Sequence, residues 1–176
     1  LHQERFAAAR AVTPGAGGSQ IHADTHLGGK GNLTVQQPGV LTITRVDPSR
    51  PTVTTNQTGW TVEMGVTNSG VADVQLDLDA GSTFITFSAG TGWSRSLQTP
   101  GPITLGQNES ATLVYGVTAS STPVVAATIN GTVRGIELNS DVQRTGQTPP
   151  GQGSITVQTP AAIQITEVTK SRDPVT

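Results

Sequence analysis

Residues 59–78 read GWTVEMGVTNSGVADVQLDL. Trp60, Val62, Met64 and Val66 alternate with Thr61, Glu63, Gly65 and Thr67. A period of two is the period of a strand with one dry and one wet face. Asn68-Ser69-Gly70 then carries turn chemistry. Beyond it Val74, Leu76 and Leu78 alternate with Asp73, Gln75, Asp77 and Asp79. Together the two runs predict an antiparallel hairpin.

Working outward, the same alternation recurs. Thr83–Ser88 is apolar on both faces and reads as a central strand. Ile103–Leu105 follows Pro100-Gly101-Pro102, and in Ser110–Val117 the residues Ala111, Leu113, Tyr115 and Val117 share a face. Over Val124–Val133, Val125, Ala127, Ile129 and Val133 are expected to point inward. Ile136 and Leu138 continue with opposite parity, which predicts a bulge or bend at Gly135. Upstream, Leu41 and Ile43 share a face and Val46 takes the other, near Pro48 and Pro51, as in a first strand that switches sheets. Only His2–Val12 has any helical period. Strands of this length, with turn signals every ~8–12 residues, predict an all-β, Ig-like antiparallel β-sandwich.

Composition agrees. Charged residues are 12% of the 176, apolar residues 34% and aromatics 3%, with Thr and Val prominent. The net charge of −2 gives no basic face for nucleic acid. There are no cysteines, so disulfides, thiolate metal sites and Cys nucleophiles are excluded. No apolar run approaches the ~20 residues of a membrane helix. The start, LHQERFAAARAV, has no long apolar run after a basic head and does not read as a signal peptide.

The chain also repeats itself. Residues 33–54 return without a gap as residues 155–176, and 11 of the 22 aligned pairs are identical at an offset of 122. Such a period implies tandem units, each about one domain long. The expected division is 1–38 as the end strands of a preceding repeat or an N-terminal extension, 39–159 as a complete sandwich, and 160–176 as the first strand of a following repeat. Thr145–Gly153 then reads as a loop before a last strand at Ile155–Gln158. Pro38 and Pro160 mark equivalent, stiff joints. Leu33, Val35, Val157, Ile155, Ile163 and Ile165 are the residues expected to serve inter-repeat joining or strand exchange, because each needs a sheet to cover it.

Chemical motifs are sparse. His22, Asp24 and His26 would share one strand face and are weak candidates for a zinc site; a solvated strand face is the plainer reading. Asp73, Asp77 and Asp79 could hold calcium, but their alternation with apolar residues is that of an outer face. Residues 39–159 hold no His and no Cys, so a Ser-His-Asp triad cannot form within a unit. Glu63, Glu109 and Glu137 show no spacing that selects an acid pair. No enzyme activity and no cofactor are expected. Trp60 belongs to the core. Trp93, in a loop that follows Thr91-Gly92 and beside Arg95, is either a plug for one end of the sandwich or a ligand contact. Asn32, Asn56, Asn108 and Asn130 head glycosylation sequons, a weak signal in a Thr-rich chain.

The landmark Val66-Thr67-Asn68-Ser69-Gly70, within the pattern Val40–Gly70, resembles the Ig-like sandwich repeats of bacterial surface and secreted proteins, especially the cell-adhesion-related group called CARDB. The resemblance spans about residues 39–145. It implies an extracellular or cell-surface spacer, stalk or adhesion module whose partners are adjacent repeats or copies of itself. Two variants stay open. Separate subunits could complete one another by strand exchange, or the unit could bind a surface glycan or protein.

Overall fold

The computed structural model describes residues 20–24, 30–149 and 153–169. Two short strands, β1 (Gln20–Asp24) and β2 (Lys30–Thr34), pair antiparallel in a sheet of their own. The sandwich follows: β3 (Leu41–Pro48), β4 (Thr52–Thr54), β5 (Trp60–Asn68), β6 (Val74–Asp77), β7 (Phe84–Phe87), β8 (Ser94–Leu97), β9 (Thr104–Leu105), β10 (Ser110–Thr118), β11 (Val124–Glu137), β12 (Gln143–Gln147) and β13 (Ser154–Gln158). One sheet runs β3-β5-β10-β8; the other runs β4-β13-β11-β6-β9, with β7 and β12 also on β11. The described residues are thus all-β, and β3–β13 form a two-sheet sandwich. Its pairings are antiparallel apart from β4 on β13, which is parallel. The helical reading of residues 2–12 lies outside the described residues.

The alternating residues meet between the sheets. Leu41, Ile43, Val46, Trp60, Val62, Met64, Val66, Leu113, Tyr115 and Val117 face Val53, Val74, Leu76, Ile85, Leu105, Ala127, Ile129, Val133, Ile155 and Val157. The Tyr115 hydroxyl is buried without a hydrogen-bond partner among the described residues, and burial pushes its pKa up.

Five local expectations change. Residues 145–147, read as the start of a loop, complete β12 on β11. The two runs of residues 59–78 form no hairpin: β5 pairs with β3 and β10, while β6 pairs with β11 and β9 in the other sheet. Their apolar faces cover each other across the core, which side-by-side pairing could not achieve. β7 is an edge strand, paired only to β11. In β3 the parity change is absorbed by a register shift between Ile43 and Arg45, so Leu41, Ile43 and Val46 are all buried; the sheet switch comes later, between β3 and β4. In β11 the phase does not slip at Gly135. Ala127, Ile129, Gly131, Val133, Gly135 and Glu137 all face in, and Ile136 and Leu138 face out. The irregularity lies between Val124 and Ala127, where Ala126 takes φ 58° and Val125 is turned into solvent, 89% exposed. A left-handed Ala costs about 1–2 kcal/mol.

The Val66–Gly70 landmark holds the crossover. Asn68 is fully buried. Its Oδ1 accepts from the backbone N–H of Val40 and of Gly70 (3.0 Å each), and its Nδ2 donates to Ala72 O (2.9 Å) and Leu105 O (3.0 Å). One amide thereby joins the start of β3, the crossover and the end of β9. Gly70 is needed because a Cβ there would lie 2.5 Å from Val40 N and 2.7 Å from Gly39 Cα. Asn68→Leu should therefore destabilise by about 3 kcal/mol or more, since it orphans buried backbone groups. Asn68→Asp should also destabilise, because a carboxylate cannot donate to the two carbonyls. Denaturant melts of both variants check this; a neutral Asp variant would remove the two donated bonds from the account.

Candidate functional site

The residues singled out by the repeat occupy two ends of the sandwich. At one end the segment Gln36–Gly39 is strapped across the turns that follow β5 and β11. Gln36 Oε1 accepts from Asn139 Nδ2 (2.7 Å), Gln37 O from Ala72 N (3.1 Å) and Pro38 O from Val71 N (3.3 Å). Gly39 N donates to Glu137 Oε2 at 3.0 Å. Glu137 sits at an inward-facing position of β11, 5% exposed. Arg144 on β12 answers it from Nε (2.7 Å) and Nη2 (2.6 Å), and Ser140 Oγ donates at 2.9 Å. Burial alone would raise the Glu137 pKa. The bonds from Gly39, Arg144 and Ser140 outweigh it and hold the carboxyl below its usual range.

At the other end β13 finishes beside Val124, with Val157 opposite Val124 and Gln158 O accepting from Thr55 N (2.9 Å). Residues 159–169 then run on without strand pairing, all exposed. Within them Ile163, Ile165 and Val168 are 95, 78 and 87% exposed. Their counterparts 122 residues earlier, Leu41, Ile43 and Val46, are at most 5% exposed in β3. Leu33 lies on β2, Val35 is exposed, Pro38 is in the strap, Ile155 and Val157 are buried in β13, and Pro160 is exposed at its exit.

Trp93 is half-buried. Its ring stacks on Phe87 (centroids 3.9 Å apart, 8° between planes), meets Trp60 edge-on at 6.3 Å, and its Nε1 donates to Ala89 O at 2.9 Å. It also borders an open groove of about 590 Å³ with Leu78, Phe84, Arg95, Leu97 and Tyr115. The Arg95 guanidinium lies 5.5 Å over the Phe84 ring.

The remaining candidates stay apart. His22 and Asp24 lie on β1, and His26 lies outside the described residues. Asp73 lies in the β5–β6 crossover, and Asp77 Oδ1 accepts from Asp79 N at 3.1 Å. No group of three or more metal-ligating side chains occurs among the described residues. Glu63 pairs with Arg45 (2.9 Å), and Glu109 accepts from Gly106 N (2.8 Å), each remote from Glu137 in role. Asn56 and Asn108 occupy left-handed turn positions, φ 58° and 60°, and Asn130 lies in β11.

The Glu137–Arg144 clasp is the element that sequence reading missed. Its signal was a carboxylate at an inward position of a strand, followed seven residues later by an arginine.

No protein-family model matches the chain, and no curated protein matches it. Among solved structures, one that is similar is the ASH/PapD-like domain of human CEP192 (PapD-like domain 7). It has 12% sequence identity and a TM-score of 0.43, over 70% of this chain and 87% of that one.

Breaking the clasp should loosen the strap. Glu137→Gln is expected to cost about 1.5–3 kcal/mol at neutral pH. Because the folded carboxyl binds its proton more weakly than the unfolded one, Glu137 stabilises the fold above the ordinary carboxylate range and ceases to as pH falls through its folded pKa. The gap between native chain and variant should therefore close below about pH 4. Thermal melts from pH 7 to 3 measure it; a gap independent of pH would mean the charge contributes nothing.

Proposed function

We propose that this chain is a non-catalytic, structural segment of an extended array of β-sandwich units at a cell surface or in the extracellular space. Its role is mechanical: each unit buries its own core, and successive units are linked head to tail at Pro38-type joints into a stalk or filament. The observation that carries this reading is the contrast between Leu41, Ile43, Val46 and their repeat counterparts Ile163, Ile165, Val168. Burying one such side chain is worth about 1.5–3 kcal/mol, so the exposed set forgoes on the order of 5 kcal/mol. A second sandwich, whose β5 equivalent pairs with residues 163–170 as β5 pairs with β3, recovers it.

The other end supports the same reading. Shifted by 122, β1 and β2 fall on residues 142–146 and 152–156, overlapping β12 and β13. Those two strands lie end to end along one edge of β11, pairing with Thr132–Ile136 and Val124–Thr128. On this reading β1 and β2 are the counterparts of those edge strands in a preceding unit. No helix among the described residues is long and apolar enough to cross a membrane.

The groove beside Trp93 favours a second reading, an adhesion module that binds a glycan or protein through Trp93, Phe84 and Arg95. Binding to a glycan array that is lost in Trp93→Ala is its test, and silence across the array counts against it.

The array reading is tested by transplanting the repeat. A chain carrying residues 155–176 in place of 33–54, with Gly39 retained, should fold cooperatively and lose no more than about 3 kcal/mol. Gly39 is kept because a Cβ there would lie 2.9 Å from Ala72 O, whereas the repeat has Ala161. A control transplant shifted by one residue turns the apolar face outward and should not fold. Equal behaviour of the two transplants would sink the equivalence.

A further inference from the structure

Large apolar side chains are left in water at both ends of β11, by a bulge at one end and by alternation that runs on unbroken past Gly135 at the other. At one end the bulge at Ala126 turns out Val125. At the other, Ile136, Leu138 and Val142 are 37, 52 and 46% exposed around the turn from β11 to β12. Apart from residues 163–168, the only other large hydrophobics that are exposed among the described residues are Val35 and Val40, beside the strap at this same second end. Val35 has its own account, because its counterpart Val157 is buried in β13, the last strand of a unit. The long faces of the sandwich carry none of them.

The course of the chain assigns a partner to these patches. It arrives through the strap at the Leu138 end and leaves from β13 at the Val125 end, thirteen residues or roughly 40 Å away along β11. In the array reading, Gln158–Ala162 are the counterparts of Gln36–Val40. Five residues reach at most about 18 Å, so the Val125 end of one unit must face the Leu138 end of the next. Resting on that reading, we propose that Val125 of each unit seats against Ile136, Leu138 and Val142 of the following unit. The partner of both patches is then a second copy of this sandwich, docked head to tail. Such a contact is heterologous and extends without closing. It is small, and it gains its effect from tethering, which keeps the local concentration of the facing end high. The strained Ala126 is maintained because its bulge turns Val125 out to solvent at this end of the sheet. The consequence is a stiff joint and a rod in place of beads on a flexible string.

The absence of native cysteine makes the contact measurable. Single variants Val125→Cys and Leu138→Cys are mixed at millimolar concentration under mild oxidation, with Ser96→Cys, exposed on the edge strand β8 and remote from the Leu138 end, as the control partner. Circular dichroism verifies each fold. The Val125–Leu138 disulfide should exceed Val125–Ser96 and Val125–Val125 by about 10-fold or more, and Val142→Cys should replace Leu138→Cys. Equal yields for all pairs would overturn the docking. With a successful in-register transplant, that result leaves an array with flexible joints; enrichment beside a failed transplant leaves head-to-tail association of separate chains.

Discussion

Asn68 is the polar group on which one whole end of the sandwich depends. A crossover between sheets must bring several backbone segments together in a dry place, and each has an N–H or C=O to satisfy. Asn is suited to this because one planar amide offers two donors and an acceptor with two lone pairs. Here all four capacities are used, on Val40, Gly70, Ala72 and Leu105. The start of β3, the turn that carries β5 into β6, and the short strand β9 therefore share one fixed point. The Thr-Asn-Ser-Gly wording of the landmark follows from this: the Asn makes the bonds, and the Gly lets the incoming strap pass close by.

The strap is built outward from that point. Val40 is held by Asn68, Gly39 by Glu137, and Gln36–Pro38 by the turns beside them. A segment that a reader of the sequence takes for a linker is thus bonded at nearly every residue to the body it introduces. The Glu137 carboxylate is the charged member, and its burial is sustained by Arg144, Ser140 and a backbone N–H together. The equivalent segment after β13 has no such turns to lie on, and it is exposed throughout. Residues 37–46 are thus docked, while their counterparts 159–168 are bare. That asymmetry is the observation an array of units accounts for.

Much of the fold was legible in residue order. The alternation in Trp60–Val66, Val74–Leu76 and Ala111–Val117 names strands and their inner faces because a half-buried strand has a period of two. Pairing partners were less legible, since alternation says which face is apolar and nothing of what covers it; β5 and β6 therefore read as a hairpin although they belong to opposite sheets. Parity failed where polarity and position disagree. Glu137 faces in because Arg144 and Gly39 receive it, so Ile136 and Leu138 face out. Val125 faces out because a bulge adds a residue to the register.

The amino-acid order by itself determined that the sandwich is built of strands alone, which residues supply its core, and that one segment recurs after 122 residues. These are local or periodic properties, written in side-chain polarity along the chain. Tertiary structure alone decided which sheet each strand joins, that the Pro38 segment is bonded down, and that apolar residues are left uncovered at both ends of β11. Those outcomes depend on which distant groups meet in space, and no spacing along the chain encodes the meeting.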